Sequence, residues 1–142
     1  MTPKLYIGGK QARPDSGYSR EVYAPSGALL GQAPLANRKD VRNAVEAAAA
    51  TKWRNTTGHS RAQILYFLAE NLATRGVEMA QSIDAQTGDT SGTAEVDATI
   101  QALFTAAAWC DKLDGAAKPV PMRATALAMR EAVGTVGILA GD

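Results

Sequence analysis

The chain has 142 residues, enough for one domain with a sizeable core. Fifteen basic residues against fourteen acidic ones leave a net charge of +1 with no charge block, so electrostatics gives no footing for nucleic acid or a membrane surface. The apolar runs are short and Ala-rich, far from the ~20 residues that span a bilayer. The opening Met1–Tyr6 lacks the apolar core of a secretory signal, and the lone Cys110 cannot close an internal disulfide, so a reducing, cytoplasmic home is expected.

Residues 3–35 read as strand and turn. Leu5-Tyr6-Ile7 starts a strand and Gly8-Gly9 signals a hairpin. Pro14-Asp15-Ser16-Gly17 is turn chemistry. Glu21-Val22-Tyr23 makes a second short strand, Pro25-Ser26-Gly27 turns it, and Leu29–Ala33 continues extended.

Residues 37–115 read as helices. Asn37 is a good N-cap, and Asp40 three residues on completes a capping-box-like start. Val41, Ala44, Val45 and Ala48 form one apolar stripe at helical spacing. Trp53 and the polar run Arg54–Gly58 interrupt the pattern. A second helix starts near Ser60, with Ile64, Leu65, Leu68 and Leu72 as its face and Phe67 beside it. Gly76 ends or kinks it. A third helix runs from Val77 to about Thr87 and closes at Gly88. The fourth and longest runs from about Thr93 to Leu113, with Val96, Ile100, Leu103, Phe104, Ala107 and Cys110 on one face and Gly115 at its end.

Residues 119–140 change character. Pro119 and Pro121 force an extended passage, Ala124–Glu131 alternates like a strand, and Val133–Ala140 reads as a buried strand with glycines. A buried strand needs neighbours on both edges and helices on its faces. These residues supply neither, so the sheet it belongs to is expected outside them. The fold class expected is α/β and incomplete.

Several stretches together resemble the opening of aldehyde dehydrogenases. Leu5–Lys10 resembles their first strand, and Ala24-Pro25-Ser26-Gly27 resembles an Asn-Pro-x-Thr-Gly turn. Asp40-Val41 with Ala44–Ala48, Trp53, Arg61-Ala62-x-Ile64-Leu65 and Thr87-Gly88 follow in family order. Glu95-Val96, Trp109–Leu113 with Gly115, and Arg130-Glu131-x-Val133-Gly134-x-Val136-Gly137 complete the likeness over nearly the whole chain. No single piece is specific; the order and spacing are. The resemblance implies the first part of a cofactor-binding domain, ending at the first strand of a Rossmann-like sheet. It implies NAD or NADP in the intact parent enzyme, with none expected for this segment alone. The parent reaction would be attack of a Cys thiolate on an aldehyde, hydride transfer, and hydrolysis of the thioester to a carboxylic acid. Partners implied are the remainder of the polypeptide and a second copy, through the Pro121–Glu131 flap strand.

There are departures from the family. Gly141 and Asp142 stand where catalytic members have Pro-Trp. The oxyanion Asn, the cofactor-contacting Lys and Glu, the phosphate turn, the general-base Glu and the nucleophilic Cys of the family would all come later. An Asp after this strand resembles the second, non-catalytic module of long two-module members, and Asn37–Asp40 fits that branch too. Two readings stay open: a segment of an NAD(P)-dependent enzyme, or a non-catalytic structural module. A stand-alone helical domain would leave the last strand an unpaired apolar edge.

No catalytic residue and no metal site are assigned. Cys110 could be a nucleophile, but it falls on the apolar face of the long helix, where Cys packs as a small hydrophobe. His59 could be a base, yet it sits at a helix start with no triad pattern around it. One His and one Cys cannot build a zinc site. Gly134 and Gly137 lack phosphate-loop spacing. Asp97 matches an acidic position that helps hold a monovalent cation in some relatives; a solvated helix residue accounts for it as well. Tyr66, Phe67, Phe104 and Trp109 suit core packing rather than base stacking. Leu139 and Ala140 are the candidate cofactor neighbours, and only in an intact catalytic relative.

Overall fold

A computed structural model describes residues 3–140. The glycine pair Gly8-Gly9 takes φ of 60° and 77°, the left-handed backbone that a two-residue hairpin turn demands at both positions. It joins β1 (Leu5–Ile7) to β2 (Lys10–Ala12) with Ile7 opposite Lys10. Gly17, at φ 71°, donates its N–H to Pro14 O and closes the next turn. β3 (Ser19–Tyr23) and β4 (Leu29–Pro34) pair antiparallel, with a bulge at Val22/Tyr23. Their link is the Ala24–Ala28 turn, in which Gly27 N–H reaches Ala24 O.

α1 (Arg38–Ala49) begins as its sequence dictates. Asn37 Oδ1 accepts from the N–H groups of Lys39 and Asp40, and Asp40 Oδ2 accepts from Asn37 N–H at 3.0 Å. Both Asp40 oxygens also accept the N–H of Asp15, at 3.1 and 3.2 Å, so one carboxylate caps the helix and pins the turn before it. That double duty buries Asp40 to 4% exposure and sets the helix's rotation. The inward face becomes Asp40, Asn43, Ala44 and Ala47, while Val41 and Val45 stay exposed. The expected Val41-Ala44-Val45-Ala48 stripe is therefore corrected by a fraction of a turn. Ala47 lies against β1's turn, where a β-carbon on Gly8 would stand 3.6 Å from Ala47 Cβ.

After a 3₁₀ turn at Trp53–Asn55 come α2 (Gly58–Thr74), α3 (Gly76–Thr87) and α4 (Gly92–Trp109). α2 starts two residues before the expected Ser60, because Thr57 Oγ1 accepts Ser60 N–H and is the N-cap. α3 ends as expected: Gly88, at φ 78°, returns its N–H to Asp84 O. α4 stops at Trp109 rather than Leu113, with Lys112 Nζ donating to Ala108 O at 2.6 Å and satisfying an end carbonyl.

α2 and α4 pack against each other around small residues. Ala69 is 0% and Ala107 1% exposed, with Val96 also buried. Small side chains let the two backbones approach, and the Tyr66 and Phe104 rings meet beside them, centroids 5.9 Å apart. The α4 face holds as read: Val96, Ile100, Leu103, Phe104, Ala107 and Cys110 are all buried or half-buried. The α2 face holds only at Leu65 and Leu72. Ala62, Leu65, Ala69 and Leu72 turn inward, while Ile64, Phe67 and Leu68 stay exposed. The buried side of α2 is the one that carries Ala69, and the bulkier Ile64, Phe67 and Leu68 point away from it.

The strand expected over Ala124–Glu131 shortens to β6 (Thr125–Ala128), paired antiparallel with β5 (Ala116–Pro119). Residues 133–140 carry no assigned strand, and Val133, Val136, Ile138 and Leu139 are exposed rather than buried. A strand is held by hydrogen bonds to a neighbour, and none pairs with this run among the described residues. The described strands form three separate two-stranded sheets. With four helices, this is an incomplete α/β arrangement. Two compact units result. One holds the described residues up to Lys52, Ile83–Thr90 and the stretch from Gly134; the other holds Trp53–Ser82 and Ser91–Val133.

Candidate functional site

The start of α2 and the end of α4 meet in the second unit, and an open cleft of about 820 Å³ lies there. Local chemistry builds its rim. Thr56 Oγ1 donates to Trp53 O at 2.7 Å and holds the 3₁₀ turn. Arg61 Nη1 donates to Thr56 O at 3.0 Å, folding the guanidinium back over that turn. Gly58 allows the close approach itself, since a β-carbon there would stand 2.5 Å from Cys110 O. On the opposite wall, Arg130 Nε donates to Asp114 O at 2.9 Å and ties the chain after β6 to the segment after α4.

His59 and Cys110, the two reactive residue types singled out from sequence, both line this cleft. His59 is an exposed first-turn residue of α2. Cys110 is half-buried, and its thiol donates to Ala106 O at 3.3 Å within its own helix end. No hydrogen bond joins the two among the described residues. Asp111, which also lines the cleft, pairs with Lys112 at 2.9 Å. The Lys112 ammonium, bonded to Asp111, holds that carboxyl below its ordinary range, and the carboxylate holds the ammonium above its own. From the sequence, Arg54 and Gly58 belong to a polar break and Arg61 and Arg130 to the family likeness, and none of them is marked as a site residue. Only Gly58, an unneeded glycine at a helix start, gave a signal that could have marked the close contact.

The other candidates are not among the residues that line it. Leu139 is fully exposed and Ala140 lies in the same stretch without assigned secondary structure. Gly134 takes φ 127° outside any strand, and Gly137 has open space where a β-carbon would be. Asp97 is an exposed residue of α4, and no group of three His, Cys, Asp or Glu side chains able to hold a metal occurs among the described residues. Gly141 and Asp142 lie outside the described residues. No helix among the described residues is long and apolar enough to cross a membrane.

The sequence profile of the Aldehyde dehydrogenase family matches residues 12–141. The chain is 30% identical to human cytosolic 10-formyltetrahydrofolate dehydrogenase over 98% of its own length and 17% of that protein's. It is 33% identical to a phenylacetaldehyde dehydrogenase of Pseudomonas fluorescens over 96% of its length and 30% of the relative's. In structure it is similar to succinate-semialdehyde dehydrogenase from Burkholderia pseudomallei, with a TM-score of 0.80 and 26% identity over 84% of this chain and 26% of that one. PnpE in complex with nicotinamide adenine dinucleotide is similar at a TM-score of 0.78 and 28% identity, with the same coverage. The chain thus spans less than a third of each of these proteins.

Proposed function

This chain belongs to the aldehyde dehydrogenase family, and from that premise we propose that it is a scaffold and contact segment of an NAD(P)-dependent aldehyde dehydrogenase. The observation that carries this reading is the placement of its apolar surface. Val41 and Val45 on α1, Ile64, Phe67 and Leu68 on α2, and Val133, Val136, Ile138 and Leu139 near the end are all exposed. Contiguous apolar faces of this kind are built to be covered by further protein. The remainder of a dehydrogenase polypeptide is the cover proposed here, and the cofactor seat, nucleophile and base are assigned to that remainder. Met122, Leu127 and Met129, exposed around β6, support contact between copies through the Pro121–Glu131 region.

Within this segment the residues hold and position. Asp40 fixes the entry to α1, and α2 packs against α4 as the helical frame of the second unit. The one thiol stays bonded to its own helix end. Supplied with an aldehyde and NAD or NADP, the 142-residue chain gives no reduced cofactor, and Cys110→Ser changes nothing. Turnover that Cys110→Ser abolishes would overturn the assignment.

One specific observation favours the second reading, a non-catalytic module of the same fold: Gly141-Asp142 occupies the place of Pro-Trp. The two part on the full polypeptide from its natural source. Aldehyde-dependent reduction of NAD(P) supports the enzyme segment, and a stable assembly without it supports the module.

A further inference from the structure

We draw no further inference here: the strongest candidate, the open cleft between the start of α2 and the end of α4 lined by Arg54, His59, Arg61 and Arg130, carries nothing because the α2 N-terminus there abuts the end carbonyl of α4 and nothing in the structure shows what covers it.

Discussion

Gly58→Ala tests the α2–α4 frame most directly. The added β-carbon would stand 2.5 Å from Cys110 O, 3.0 Å from Asp111 Cα and 3.1 Å from the Cys110 carbonyl carbon. Carbon and oxygen rest at about 3.3 Å or more, so the end of α4 must retreat by nearly 1 Å. The obstructing atoms are all backbone, so no side chain can swing aside. Forcing such overpacking costs about 1–3 kcal/mol. Replacing a helical glycine by alanine offsets up to about 1 kcal/mol, through helix propensity and a less flexible unfolded chain. With the full offset, the net expectation is a loss of up to about 2 kcal/mol. Gly76→Ala is the matched control. It also opens a helix, but its β-carbon would meet only Val96 Cγ1 at 3.6 Å, an ordinary contact. That substitution stabilises by about 0.4–1 kcal/mol. Urea unfolding followed by far-UV circular dichroism reads both, with midpoints compared at unchanged slope. A Gly58→Ala chain stabilised as much as Gly76→Ala would refute the close approach.

Three further expectations follow from the same contacts. Asp40→Ala removes the acceptor for Asp15 N–H and Asn37 N–H together and lowers stability by about 2–3 kcal/mol; Asp40→Asn, which keeps one acceptor oxygen, loses less in the same urea melt. Asp15 is held below its ordinary range by hydrogen bonds from Lys39 and then Asn37. A depressed carboxyl stabilises the fold above its unfolded pKa, about 3.9, and that contribution is lost as pH falls through the lower folded value. Carboxyl titration by NMR should show Asp15 moving back up in Lys39→Met, and no movement would remove the pair from the account. Ala69→Leu, at the fully buried α2–α4 contact, costs about 1–3 kcal/mol, whereas Phe67→Ala, 68% exposed, stays within about 0.5 kcal/mol; the reverse order would restore the α2 face expected from sequence.

Much of the fold was legible where the signal was local. Gly8-Gly9 and Pro14–Gly17 specify their turns through backbone angles that other residues resist. Asn37 with Asp40 and Thr87-Gly88 mark helix ends through hydrogen bonds made within four residues. The α4 face was also readable, because its apolar residues occupy a single band with Ala at the tightest point. The faces of α1 and α2 were not. Each carries apolar residues around more than one side, and periodicity alone does not rank them. The candidate site was legible only as residue types: His59 and Cys110 were noticed separately, and no spacing rule brings residues about fifty positions apart into one cleft.

The sequence by itself determined the strand-rich start and the four helices after it, the Gly8-Gly9 turn, the Asn37 and Gly88 helix ends, and the family, since these rest on short-range chemistry and on motifs in a fixed order. The tertiary structure alone decided which side of α1 and of α2 is covered and where α2 meets α4. Those outcomes turn on close contact between distant backbones. Asp40 sets one helix's rotation by bonding a turn twenty-five residues away, and Ala69, Ala107 and Gly58 set the other contact by what they lack. A missing side chain says little in a sequence until the structure shows which atoms occupy its place.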